Sequence, residues 1–374
     1  MLNLKRQVFK DIDIWLILLM MALISIGVLA ISSATSFSGD TTTLYKQIIF
    51  AIIGFFLMIV VTYFDYKKVG DWYLGVYLIT NIVLVAVLLF GSNTNGATRW
   101  ISIAGIEIQP SEFAKIAMIF CTAKLISLKN DKINSIVPII QIGLFQFVPF
   151  ILINRQPNLS TSLVIVALLI VQLFVSKLKL RYIFATALIG IMVISLGVGY
   201  IIRNPNQTII DDYQRNRIVT AFTGGDSQSD NYQTSRSIDA IGSGGLHGKG
   251  LYQGAISQLN YLPESHNDFI VATIAEEFGF IGILILLGII VLFIGRGLFL
   301  AHMSDDDFGK LIIVGYIGMI AAQSFINLGV VTGILPNTGL PLPFVSYGGS
   351  SLWANMMGMG LVLNVGLNRE DTMF

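Results

Sequence analysis

Long apolar stretches alternate with short polar ones along almost the whole chain. Apolar runs fall near 14–33, 46–65, 71–90, 112–128, 136–153, 160–176, 182–202, 269–294, 311–334 and 347–367. Most approach the ~20 residues a helix needs to cross a ~30 Å hydrocarbon core. The run at 112–128 is at the lower limit, and 269–294 is long enough to tilt or to project beyond the bilayer. The pattern predicts an all-α polytopic integral membrane protein with about ten transmembrane helices. One polar connection, 203–268, is far longer than the rest and lies between the seventh and eighth runs.

Charge orients this pattern, because cytoplasmic loops are enriched in Lys and Arg. With the N-terminus inside, the inner segments carry Lys5, Arg6 and Lys10; Lys67 and Lys68; Lys129 and Lys132; Lys177, Lys179 and Arg181; Arg296 and Lys310; and Arg369. The short outer loops carry little beyond Lys46, Arg99 and Arg155. An error of one span would scramble this alternation, so span count and orientation support each other. Both termini are predicted cytoplasmic, and 203–268 is predicted to be an extracellular loop within a single membrane domain, 1–374. Composition agrees: 54% of the residues are hydrophobic and 12% charged, against about 25% charged in soluble chains. A net charge of +1 gives no nucleic-acid footprint. Cys121 is the only cysteine, which excludes an intrachain disulfide and reads as a buried small hydrophobe. The basic segment before the first run precedes an apolar stretch too long for a signal-peptide core, so that run reads as a retained span.

Against this apolar background, five polar constellations stand out. In "NGATRWISIAGIEIQPSEFAK", 95–115, Pro110-Ser111-Glu112 reads as a helix start with Ser111 as N-cap. Glu112 and Lys115 share a face, which suits either an intrahelical ion pair or a pair facing a polar cavity. Arg99 and Trp100 read as an interfacial anchor or a substrate-facing pair. In "INRQPNLSTSL", 153–163, a polar run separates two spans as a tight outer turn. The stretch "DDYQRNRIVTAF" inside the long loop is compatible with a surface helix.

In "AIGSGGLHGKG", 240–250, five glycines and Lys249 suggest backbone N–H groups able to approach an anion; the spacing excludes a P-loop. In "YLPESHNDFIVATIAEEFGFIG", 261–282, Pro263 precedes a helix that Ser265, Asn267 or Asp268 would cap. At about 100° per residue, Glu276 lies about 80° from the Asp268 face and Glu277 opposite it. Glu276 is therefore expected to face a cavity and Glu277 a neighbouring helix. In "GILPNTGLPLPFVSYGGSS", 333–351, Pro336, Pro341 and Pro343 prevent a regular helix. Irregular backbone at this depth must be covered by protein or line a cavity. The histidines, His247, His266 and His302, form no metal-ligand pattern.

At these residues the chain resembles the shape, elongation, division and sporulation (SEDS) family, the RodA/FtsW/SpoVE-type polymerases of the bacterial cell wall. The stretches "GATRWI…QPSEFAKIA", "AIGSGGLHGKGL", "LPESHNDFIVATIAEEFGFIG" and "PLPFVSYGGSS" carry the resemblance, in order and across nearly the whole chain. In "QPNLST", Asn158 stands where the family usually has Asp.

The resemblance implies a peptidoglycan glycosyltransferase of the bacterial cytoplasmic membrane, with lipid II as donor and acceptor and its site facing outward. It implies a class B penicillin-binding protein as partner and Asp268 as the catalytic aspartate. Joining a sugar 4-hydroxyl to an anomeric carbon, with undecaprenyl pyrophosphate leaving, needs a base and nearby cations. Asp268 suits the base. Lys115, Arg99, Arg236 and Lys249 are the candidate cations, and Mg2+ or Mn2+ could share the task. Trp100, Glu112, Glu276, Ser346 and Tyr347 complete the candidate substrate-contacting set. A lipid-linked-precursor flippase or other transporter, and a non-catalytic cell-wall scaffold, are the competing classes. A transporter usually carries midplane ionisable groups and inverted repeats; here the polar motifs cluster at one side and no repeat is visible, although Glu276 and Glu277 fit that class.

Overall fold

A computed structural model describes residues 12–36, 41–94, 97–103, 105–156, 158–204, 228–258, 261–263 and 265–368. In chain order the helices are α1 (Ile14–Ser36), α2 (Thr41–Tyr63), the short α3 (Tyr66–Gly70) and α4 (Tyr73–Phe90). Strands β1 (Ser92–Thr94), β2 (Ala97–Ile103) and β3 (Ile106–Ile108) follow. Next come α5 (Pro110–Lys129), α6 (Ile136–Asn154), α7 (Leu159–Val175), α8 (Leu180–Arg203), α9 (Gln228–Gly244) and the short α10 (Ala255–Gln258). The chain closes with α11 (Ile270–His302), α12 (Asp307–Val331) and α13 (Gly349–Leu367).

Each of the ten apolar runs is helical. Among the described residues six of these helices, α1, α2, α4, α6, α11 and α12, are long and apolar enough to cross a membrane. Burial separates the helices by role. α5 and α12 are buried along most of their length and form the centre, packed on each other and on α7 and α13. α2 and α4 turn Ile52, Phe56, Ile79 and Leu89 outward, as helices facing lipid must. A central helix tolerates polar groups because neighbouring helices satisfy them. The Gln172 amide donates to Ile119 O at 2.8 Å and Leu311 O at 3.2 Å, joining α7, α5 and α12.

The bundle has two different ends. At one end, ion pairs and hydrogen bonds join the short connections: Arg296–Asp13 at 2.8 Å, Lys124–Asp71 at 3.3 Å and Lys177–Asp307 at 2.9 Å. The Tyr66 hydroxyl donates to Asp306 at 2.5 Å. Burial and the adjacent carboxylate push that phenol far above its ordinary value, so it stays a donor. Among the described residues this end carries the basic connections on which the orientation was based, and both Asp13 and Asn368 lie here. The other end gathers the sequence motifs.

Two features of the motif end were not anticipated. The connection 92–108 is a three-stranded antiparallel sheet, with Ser92 opposite Trp100 and Ile101 opposite Ile108. The long loop carries α9, which packs on α11, and the Ser237 hydroxyl on α9 donates to Val331 O at 2.7 Å. The surface helix expected at "DDYQRNRIVTAF" lies outside the described residues, as do Lys5, Arg6, Lys10 and Arg369.

Candidate functional site

The turn before α11 places Asp268. Pro263 lies in this turn and the helix begins at Ile270, so the intervening carbonyls have no helical partner and need donors from elsewhere. Four in succession find one. Thr273 Oγ1 donates to Ser265 O at 3.2 Å, and Tyr347 N to His266 O at 3.0 Å. Ser346 Oγ donates to Asn267 O at 2.7 Å, and Asn327 Nδ2 to Asp268 O at 2.8 Å. Asp268 itself is half-buried. The expected side-chain cap is corrected: Phe269 occupies the N-cap position and makes no side-chain cap bond, and Asp268 precedes it.

Most of these donors come from the proline-rich connection 332–348 and the end of α12. The connection is irregular, as three prolines between spans require, and its second half is buried, with Leu340, Leu342, Phe344, Val345 and Ser346 all inside. Phe344 has φ +66, a conformation that costs an aromatic residue about 1–3 kcal/mol and persists only where surroundings fix it. Its ring meets Phe293 with centroids 5.7 Å apart. The Ser346 hydroxyl also accepts from Leu342 N at 2.9 Å, and Gln47 Nε2 donates to Ser346 O at 3.3 Å. Ser346 thus holds backbone on both sides, a different use from the substrate contact expected of it. Tyr347 stands edge-on to His266, with centroids 5.6 Å apart.

The glycine-rich stretch is corrected in kind. It is a dock for α11 more than an anion cradle, because three successive N–H groups, those of 248–250, are already paired. Gly248 N donates to Gly244 O at 2.8 Å, Lys249 N to Glu276 O at 3.0 Å and Gly250 N to Glu277 O at 3.0 Å. In return Phe280 N donates to Gly245 O at 2.9 Å and Ile281 N to Leu246 O at 3.2 Å. This exchange is open to α11 because the helix breaks at Gly279, φ +66 and ψ −164, which leaves carbonyls and amides around it without intrahelical partners. Backbones meet so closely that a Cβ at Gly248 would sit 2.1 Å from Glu277 O.

The break also explains the two acids. Ile270–Glu277 is buried on every side, and the lipid-exposed face of α11 begins only at Phe280. Glu276 is fully buried and does not face an open cavity. Its Oε1 accepts from Lys249 Nζ at 2.7 Å and Ile256 N at 3.0 Å, so it fastens the glycine stretch at two points. Glu277 meets a neighbouring helix as expected, accepting from the Ser33 hydroxyl of α1.

The other candidates form separate groups. Lys115 and Glu112 approach to 2.9 Å with both side chains buried. Ser111 is not the N-cap of α5: Gln109 holds that position, Pro110 begins the helix, and the Ser111 hydroxyl accepts from Gln109 Nε2 at 3.1 Å. Asn158 caps α7, accepting from Thr161 N at 3.2 Å, while its Nδ2 lies 3.5 Å from Ser111 Oγ; a carboxylate there could cap α7 equally well but could not donate to Ser111. Arg99 Nε donates to Gln156 O at 3.2 Å, joining the sheet to the turn before α7. Trp100 is half-buried in β2. Arg236 is on α9, paired with Asp239 at 3.3 Å and stacked on Tyr232. Along α5 runs an apolar groove of about 630 Å3, lined by Val76, Val83, Phe113, Phe120, Met357 and Leu361 among others. It extends from Ile101 and Ile108 at the sheet to Tyr66 and Val69 at the basic end.

Comparison with known proteins matches residues 11–371 to the model of the cell cycle protein family of FtsW, RodA and SpoVE. The chain belongs to this family. Peptidoglycan glycosyltransferase MrdB of Escherichia coli (strain K12) is 37% identical over 382 residues, covering 98% of each chain. Stage V sporulation protein E of Bacillus subtilis (strain 168) is 36% identical over 366 residues, covering 94% of this chain and 96% of its own. Among solved structures, one chain of a peptidoglycan synthase complex that coordinates polymerization and crosslinking superposes with TM-score 0.81 at 28% identity, covering 96% of this chain and 99% of that one. The rod shape-determining protein RodA of Thermus thermophilus gives 0.72 at 27% identity, covering 96% and 97%. The FtsW/RodA/SpoVE fold is therefore a multi-pass membrane fold in this chain too. Asn327 and Thr273, two of the four donors to the Asp268 turn, were missed from sequence. Their signal is faint, an uncharged amide or hydroxyl inside a membrane-length helix that carries other polar residues as well.

Proposed function

We propose that the protein is a peptidoglycan glycosyltransferase that polymerises lipid II at the outer face of the cytoplasmic membrane. The observation that carries the proposal is end-to-end similarity to relatives named peptidoglycan glycosyltransferases. The turn that fixes Asp268 among the motif-bearing segments supports it. Asp268 takes the proton from the 4-hydroxyl of the acceptor sugar. That oxygen bonds to the anomeric carbon of the donor, whose bond to the undecaprenyl pyrophosphate oxygen breaks, and the pyrophosphate leaves with the bonding pair. The groove along α5 has the apolar lining and length to take a polyprenyl tail, with the sugars and pyrophosphate at its sheet end.

Lys115 and Lys249 are already paired with Glu112 and Glu276, so neither is a bare cation awaiting a phosphate. Lys249, with about a third of its side chain exposed, is the better placed to take an additional anionic partner. Among the described residues no cluster of three His, Cys, Asp or Glu stands close enough to hold a metal. Mg2+ or Mn2+, where the reaction uses one, would be held chiefly by the substrate's own pyrophosphate oxygens and would offset charge on the leaving group. Chelation with EDTA is expected to slow polymerisation and leave thermal stability unchanged; an unchanged rate removes the cation from the proposal. A class B penicillin-binding protein is the proposed partner, a reading supported by similarity to a chain of a complex that couples polymerization to crosslinking.

The deciding experiment supplies lipid II to purified protein in detergent, where no gradient exists. A polymerase makes glycan strands. A flippase or a scaffold makes none.

A further inference from the structure

We infer that Asn327, together with Thr273 at the far side of the same turn, is a positioning residue for the Asp268 carboxylate, an inference that rests on Asp268 being the base. The Asn327 side chain is 1% exposed and uses both amide hydrogens, donating to Asp268 O and to Leu340 O, each at 2.8 Å. The opposite amide orientation would set its oxygen against two carbonyl oxygens, so the assignment follows from its partners. The side-chain oxygen has no hydrogen-bond partner among the described residues. A buried acceptor left in that state is unfavourable, so what the amide contributes at this position is its two donors.

The two carbonyls belong to the segments that meet at the motif end. One is that of Asp268 itself, the last carbonyl before the N-cap of α11. The other lies in the irregular connection whose Ser346 and Tyr347 hold the two preceding carbonyls. Asn327 therefore fixes the peptide that carries the proposed base, and fixes it relative to the loop that holds the rest of the turn. Thr273, fully buried on α11, holds the far side of the same turn through Ser265 O. A general base acts only within hydrogen-bond reach of its proton, and a displacement of about 1 Å can cost roughly 10²-fold in rate.

The test uses the purified full-length chain with lipid II. Asn327→Leu keeps the approximate volume and removes both donors. Its kcat is expected to fall roughly 10- to 100-fold with KM for lipid II within about twofold. The acid limb of its pH–rate profile is expected to move, because a displaced carboxylate changes surroundings. Loss of active protein alone would scale the profile without moving it, and that result overturns the inference, as does a parent-like kcat. If Asn327→Leu does not fold, Thr273→Val carries the test, since it removes one hydroxyl and keeps the shape. A several-fold loss of kcat at unchanged KM is expected, and a parent-like kcat overturns the inference. Asp268→Asn separates the two levels. If it polymerises at the parent rate, the proposed base and this inference both fall. If it is inactive while Asn327→Leu or Thr273→Val keeps the parent kcat, only this inference falls.

Discussion

Asp268→Asn is the sharpest single-residue test, because the structure separates two roles that the sequence left joined. A carboxylate just before a helix can be a cap or a base, and Asn caps about as well as Asp. Here Phe269 holds the cap position, and Asn keeps the shape of the side chain and caps as well as Asp, so the exchange should leave the thermal midpoint close to that of the parent. A general base is worth about 10²–10⁴ in rate, and lipid II polymerisation is expected to fall by that order. Asp268→Glu keeps the charge one methylene further out and should recover only part. Polymer yield from monodisperse variants decides it; near-parent yield from Asp268→Asn would falsify the mechanism. Sequence singled out Asp268 because an acid at the mouth of an apolar run is conspicuous. It passed over Asn327, which lies in an apolar helix and meets its partners only after the chain has folded back through 340.

At the scale of elements, the glycine stretch and the break in α11 form one joint. Gly248 has φ +79 and no room for a Cβ. Gly248→Ala should therefore cost several kcal/mol, combining a backbone clash with a strained φ, each a recognised source of large losses. Gly245, φ +55, has no atom within 4 Å of its would-be Cβ. Gly245→Ala should cost about 1–2 kcal/mol, as left-handed backbone does for non-glycine residues. Thermal midpoints of the two purified variants check the contrast, and equal losses would contradict the close packing. The Lys249–Glu276 pair fixes the same joint. Lys249→Met removes the ammonium that donates to the buried Glu276 carboxylate, which also accepts from Ile256 N. Breaking a buried pair from one side costs about 3–5 kcal/mol, discounted here because Lys249 is partly exposed. Lys249→Met combined with Glu276→Gln is expected to be more stable than Lys249→Met alone. If the double variant is the less stable one, the carboxylate does not depend on Lys249. The stretch was legible as glycine-rich but not as a dock, since its partner lies beyond the long loop. The sheet at 92–108 was missed for a related reason: its strands are short, and pairing with one another, rather than periodicity, makes them strands.

At the scale of the whole molecule, the ten apolar runs were legible because the bilayer imposes a length and an apolar surface on whatever crosses it. Loop charges then ordered the ends, and the structure gathers the basic connections at one end and the motifs at the other. Which end faces outward is a property of the membrane, and the charge rule predicts the motif end. Single cysteines test this in a Cys121→Ala background, where the removed thiol is buried and donates to Tyr73 O at 3.3 Å. The loop charges suggest Asp226 as an outer and Asp306 as an inner probe position, but Asp306 caps α12 and binds Tyr66, and Asp226 lies outside the described residues. Asp305 and Gln253 are exposed at opposite ends of the bundle and replace them. An impermeant thiol reagent applied to intact spheroplasts is expected to label Gln253→Cys, and to label Asp305→Cys only after lysis. The reverse pattern would place the basic end outside and remove Asp268 from the side on which an outward-facing polymerase must work. Labelling of both before lysis would mean that α11, the span between the two positions, does not separate them across the membrane, and the span count would fall with the orientation.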